Sequence, residues 1–296
     1  GAIANLSTTA VGVLSDTQVD ALSQAQVTAL GTKVSSLSIS GMASLDAAQL
    51  GGATLSALSA AQLTALTAAQ LGAVTASQIG TLTAVQITAL GNDVSGLSAV
   101  AVGGLSAAQV DALTGPQVQA LGSRVSGLSA AAVGSLDAVQ VDALSAEQVG
   151  ALGARVSSLS VAAVQSLDAA QVDGLTPVQV GQLGALVSNL TPAAVGSLDA
   201  AQLAAVTIYY WSFLFDFSAA QLAAITPAAL ANITAAQVAG VTDVHYPMKA
   251  ETLAALGPNI AGLSAAALGV IRGYDGDPTY NQVLSAEQVT ALGSRI

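Results

Sequence analysis

The apolar positions of this chain follow a short register rather than a continuous helical or strand pattern. From Leu105 the sequence reads LSAAQVDA, LTGPQVQA, LGSRVSG and LSAAAVGS, three octads and one heptad that complete a 31-residue cycle. The cycle restarts at Leu136, Leu167 and Leu198, and its LG..V heptad recurs at Leu90, Leu121, Leu152 and Leu183, and earlier at Leu30. Within an octad Leu leads, a small polar residue comes second, and Val, Leu or Ile stands sixth. Leu105 and Val110 are five positions apart, which would put them on opposite faces of a strand. The same two positions suit a hydrophobic staple around the start of a helix.

The polar positions supply the punctuation of very short helices. Ser106 is placed as an N-cap, and Gln109 three residues later completes a capping box. Pro177 and Pro192 fall at a first helical position, where the missing N–H costs nothing. Asp137, Asp168 and Asp199 replace Ser at the cap and favour the positive end of the helix. Gly122, Gly153 and Gly184 each come after a helix and are expected to end it in the left-handed conformation. Between residues 51 and 60 the stretch GGATLSALSA disturbs the register, so an imperfect turn is expected there.

A helix of two turns does not persist alone in water, so the octads must be stabilised by stacking their Leu and Val rows on neighbouring turns. The fold class expected is therefore all-α: an elongated solenoid or superhelix of very short capped helices. A β-solenoid is the alternative, permitted by the Ser, Thr, Gly and Val content but not by the five-residue spacing. The repeat solenoid should cover residues 1–206 and continue through 207–283 with three variable aromatic segments, at 208–217, 243–251 and 272–283. A final repeat, cut within its cycle, should occupy 284–296.

Composition narrows the function. The 296 residues contain 53% apolar residues but only 8% charged ones, with a formal net charge of -11 and six Lys or Arg. Such a surface repels a nucleic-acid backbone or an anionic membrane. No window of 18 residues is free of Ser, Thr, Gln or Asp, which argues against a membrane span. The chain has no Cys, which removes disulfides and thiol ligands. It opens on Gly1 without an initiator Met, so a processed or truncated N-terminus is expected. This balance of residues points to bacterial extracellular or cell-surface material.

The string LSAAQLTALTAAQLGAVTASQIGTL (58–82) resembles the L-[ST]-x-x-Q-[VIL]-x-x-L arrays of large secreted or surface-associated bacterial repeat proteins, some of them adhesin-like. The resemblance spans nearly all of the chain outside the aromatic segments. It implies an extended, non-enzymatic surface protein and transfers no functional residue.

All nine aromatic residues lie in the segments IYYWSFLFDF, DVHYPMKAE and RGYDGDPTYNQV, together with the single His. Each segment comes after an octad's leading aliphatic residue, at Val206, Val241 and Ile271, and those starts are 35 and 30 residues apart. In a solenoid with a turn near that length, the segments would share one side of successive turns. Candidate binding residues are therefore Tyr209, Tyr210, Trp211, Phe213 and Phe215; Asp243, His245 and Tyr246; and Tyr274, Asp275, Asp277 and Tyr280. Tyr and Trp bury large amphipathic area at low rotamer cost, and Asp, Gly, Asn and Pro supply adaptable polar contacts. A protein or a glycan is the expected ligand. The competing reading packs YYWSFLFDF inward as a local core or end plug.

Other chemistry is weaker. His245 with Asp243, Lys249 and Glu251 lacks the ligand count of a zinc site and any partnered nucleophile. Asp275 and Asp277 in YDGDP are spaced as in calcium loops without the rest of the pattern, so calcium stands only as an alternative ligand. Asp111, Asp142 and Asp173 recur at 31-residue intervals and read as a solvated acidic face. Three sequons, at Asn5, Asn189 and Asn232, coincide with the octad itself. No catalytic or metal-binding residue is assigned. The expected function is a non-enzymatic recognition protein, adhesin-like or an engineered binder scaffold. The alternative is a filament or surface-layer subunit that associates end to end.

Overall fold

The computed structural model describes residues 3–206, 217–239, 250–269 and 284–295. Those residues form helices and turns, with no strand among them, so the chain is all-α and the β-solenoid alternative is excluded. The contacts group into two units, Gly1–Ser160 and Val161–Ile296.

In the first unit each octad forms one helix of four to seven residues. The octad at Leu105 shows why. Ser106 is extended, and its Oγ accepts from the backbone N–H of Gln109 at 3.3 Å while Gln109 Oε1 accepts from the N–H of Ser106 at 2.8 Å. The helix Ala107–Asp111 then runs for little more than a turn. Leu113 N–H closes it onto the Val110 carbonyl at 3.0 Å, and the next cap, Thr114, is extended again. The stop signal of one octad is thus the start signal of the next. Leu105 and Val110, the two staple positions, are both buried. Burying such a pair contributes roughly 1.5–3 kcal/mol per side chain, which the few backbone bonds of the helix alone could not.

The heptads build something different. Gly122–Gly127 is a 3-10 helix that continues directly from Gly115–Ala120, with no side-chain cap at its start and with Val125 buried. Gly122 has φ of +57°, as expected of a residue after a helix, but its neighbours do not adopt the left-handed helical conformation. At the equivalent Gly31 and Gly184, ψ is -132° and -130°. That combination is the first central position of a type II′ turn, open essentially to Gly alone. It reorients the next peptide so that the chain enters a new turn without a capping side chain.

Elements that touch lie about one cycle apart in sequence. Ala107–Asp111 packs against Ala84–Ala89 on one side and Ala130–Gly134 on the other, and Gly115–Ala120 against Gly91–Gly96 and Ala138–Asp142. The spacing is close: a Cβ on Gly127 would run into the Ala99 carbonyl. The irregular stretch after residue 50 forms a bend and the 3-10 turn Leu55–Ala57 in place of an octad helix, with Ala53 and Leu55 still buried.

The second unit repeats the scheme. Pro177–Leu183 and Pro192–Gly196 begin on their prolines as expected, and Asp168 and Asp199 cap Ala169–Asp173 and Ala200–Ala205. Pro177–Leu183 packs against Ala200–Ala205, and Ala286–Leu292 against Gly257–Gly262.

Candidate functional site

The aromatic candidates Tyr209, Tyr210, Trp211, Phe213, Phe215, Asp243, His245, Tyr246, Tyr274, Asp275, Asp277 and Tyr280 all lie outside the described residues. Of that aromatic group, Phe217 is described, and it is buried. It stands where an octad carries its leading Leu, directly before the cap Ser218 and the helix Ala219–Ala224. The repeat therefore resumes at Phe217, one residue earlier than the Ser cap suggests. The signal was present in the sequence, since FSAAQLAA is an octad with Phe in place of Leu.

The dominant chemical feature of the described residues is a seam of glutamine side chains. The capping-box glutamines are buried wherever a preceding turn covers them: Gln109 and Gln140 are 3% and 2% exposed. Their Oε1 atoms serve the cap, which leaves the two amide hydrogens of Nε2. Gln109 Nε2 donates to the carbonyls of Ile79 and Leu82, both at 2.8 Å, and Gln140 Nε2 to those of Val110 and Leu113 at 2.8 and 2.6 Å. Gln117 reaches Thr88 and Gly91 in the same way at 2.8 and 3.3 Å, and in the second unit Gln202 reaches Val172 and Leu175. Each such side chain caps its own helix and joins it to the turn before.

Cations of the heptads take the same acceptors. Lys33 Nζ donates to the carbonyls of Ala4 and Leu6 at 2.7 and 2.9 Å, and the Arg155 guanidinium donates to the Ser126 carbonyl. Buried carbonyls left over at helix ends are thereby satisfied by donors of long side chains.

The seam also runs past the aromatic segments. Gln221 Nε2 donates to the Leu190 carbonyl at 2.7 Å, joining residues on either side of segment 207–216. Gln288 Nε2 and the Leu253 carbonyl do the same across segment 270–283. The two partners are 31 and 35 residues apart in these bonds, against 25 for Gln62 and Leu37, which occupy the same kind of position as Gln221 and Leu190.

Titratable groups contribute little. Asp111, Asp142 and Asp173 are exposed, in keeping with a solvated face. No group of three or more His, Cys, Asp or Glu is arranged to hold a metal among the described residues. Glu147, fully exposed, is held below the ordinary value of 4.5, first by the Ser145 hydroxyl and then by its own backbone N–H. The surface depressions are shallow, one lined by Ala84, Val85, Thr88, Ala89 and Ala112. No helix among the described residues is long and apolar enough to cross a membrane. The chain matches no family model and none of the curated proteins.

Proposed function

We propose that the protein is a non-enzymatic extracellular or cell-surface repeat protein, a solenoid of stacked octad turns that displays an aromatic recognition patch to a protein or glycan partner. The observation that carries this reading is the seam crossing segments 207–216 and 270–283. Turns on both sides of an inserted segment keep the side-chain bond that joins regular turns, so the insertion adds residues without interrupting the stack. Lengthening a loop is inexpensive in closure entropy, about 0.6 kcal/mol per doubling. A scaffold of this kind carries variable segments at little cost and holds them one turn apart.

Aromatic residues concentrated in three such segments fit recognition better than catalysis. Trp211, Tyr246 and Tyr274 would supply the anchors, with Asp243, Asp275 and Asp277 accepting sugar hydroxyls or basic groups. The test pairs a glycan array and a surface-protein pull-down, using the intact chain and a version with Trp211→Ala, Tyr246→Ala and Tyr274→Ala. Loss of a specific ligand with unchanged helicity and melting supports the reading. Loss of folding, or binding that survives the triple substitution, sinks it.

A further inference from the structure

Interior turns and the first turn differ in one respect. Gln18 and Gln26 form the same capping boxes as the buried glutamines, with Ser15 and Ser23 N–H donating to their Oε1 atoms at 2.9 and 2.7 Å. Both side chains are nevertheless exposed, and neither Nε2 meets a carbonyl among the described residues. The leading residues Leu6, Leu14 and Leu22 are only half-buried, whereas Leu105 and Leu113 are 3% and 4% exposed. The first turn thus presents the donors and the apolar rim that elsewhere lie against a preceding turn.

The last turn presents the reciprocal surface. Val289 is 42% exposed, while its counterparts Val118 and Val149 are fully buried. The acceptors that Gln117 uses, the carbonyls of Thr88 and Gly91, belong to the sequence TALG, and TALG recurs at 290–293.

We propose that a second copy of the chain docks its Val289–Gly293 edge onto the first turn, with Gln26 Nε2 donating to the carbonyls of Thr290 and Gly293. Val289 then packs against the rim formed by Leu14 and Leu22. The contact is heterologous, head to tail, so it leaves one free edge at each end and propagates into filaments. It rests on residues separate from the aromatic segments and stands or falls independently of them.

The test is light scattering of the full chain from micromolar to near-millimolar concentration at physiological salt. Mass should rise with concentration. Gln26→Glu keeps the capping box but replaces the donor by a carboxylate facing two carbonyls, and Val289→Glu charges the opposite edge. Each should weaken association by about tenfold or more without changing the melting temperature, because both positions are exposed. Each variant retains one intact edge, so mixing the two should restore a dimer and nothing larger. A full chain that stays monomeric throughout overturns the proposal. So does association that both variants leave intact, or a mixture that recovers no dimer.

Discussion

Gln140 holds Leu113 from the next turn of the chain: its Nε2 donates to the Leu113 carbonyl at 2.6 Å while its Oε1 accepts from the backbone N–H of Asp137 at 2.9 Å. One neutral side chain therefore closes a helix start and ties two turns together. Glu, the commoner residue of a capping box, could do only the first of these, since an ionised carboxylate has no hydrogen to donate.

Gln140→Glu should therefore destabilise the chain by roughly 3–5 kcal/mol near neutral pH, because it sets a buried charge against two carbonyl oxygens. Burial would raise the new carboxyl above its unfolded value, so its penalty is fully present above the folded pKa and is relieved as pH falls through it. Denaturant titration at neutral and acidic pH should show the deficit shrinking in acid. Gln18→Glu, at an exposed position whose Nε2 has no such acceptors, should be close to neutral at both.

Asp137→Ala should cost about 1 kcal/mol by removing the acceptor for the Gln140 N–H, now at 2.7 Å. The loss should be shared by Ser106→Ala and Thr114→Ala, each measured as a shift in the midpoint of urea unfolding. A cap that could be removed at no cost would mean that turn stacking alone sets the helix starts.

Two glycines should respond differently to size. A Cβ on Gly122 meets nothing within 4 Å, so its constraint is the positive φ alone. Gly122→Ala should cost about 1–3 kcal/mol, and Gly122→Gln about the same. At Gly127 the Ala99 carbonyl blocks the Cβ itself, so Gly127→Gln should be worse than Gly127→Ala. Unfolding midpoints of the four variants distinguish a conformational cost from a steric one.

Glu147 should titrate below 4.5 in a chemical-shift titration, and Ser145→Ala should bring it back toward that value. Its folded pKa is depressed, so its small contribution to stability is present above the ordinary glutamate value and is lost as pH falls through the folded one.

The caps were legible in the sequence because they are local. Ser106, Asp137 and Pro177 announce helix starts through partners within three residues, and the structure places the starts there. The second bond of the glutamines was not legible, because Gln140 and Leu113 are 27 residues apart and no short-range pattern reports on such a pair. The 3-10 heptads were half-legible: Gly122 signals a positive φ, but the path of the chain beyond it is set by the orientation of the next peptide, on which Gly is silent. Phe217 reads as part of an aromatic insertion because its chemistry draws attention away from its position, which is that of an octad Leu. Trp211 and its companions remain legible only as composition, since they fall outside the described residues.

The interruption at Gly52 gains a role from the sameness of everything around it. Turns that offer identical donors and acceptors could pair one cycle out of place at almost no energetic loss, and a folding chain would face many near-equivalent mispairings. Gly52 sits so close to the Gln24 backbone and the Thr28 hydroxyl that no side chain fits between them, and the regular octads do not reproduce this contact. A single irregular turn acts as an address in an otherwise uniform array, fixing which turn meets which.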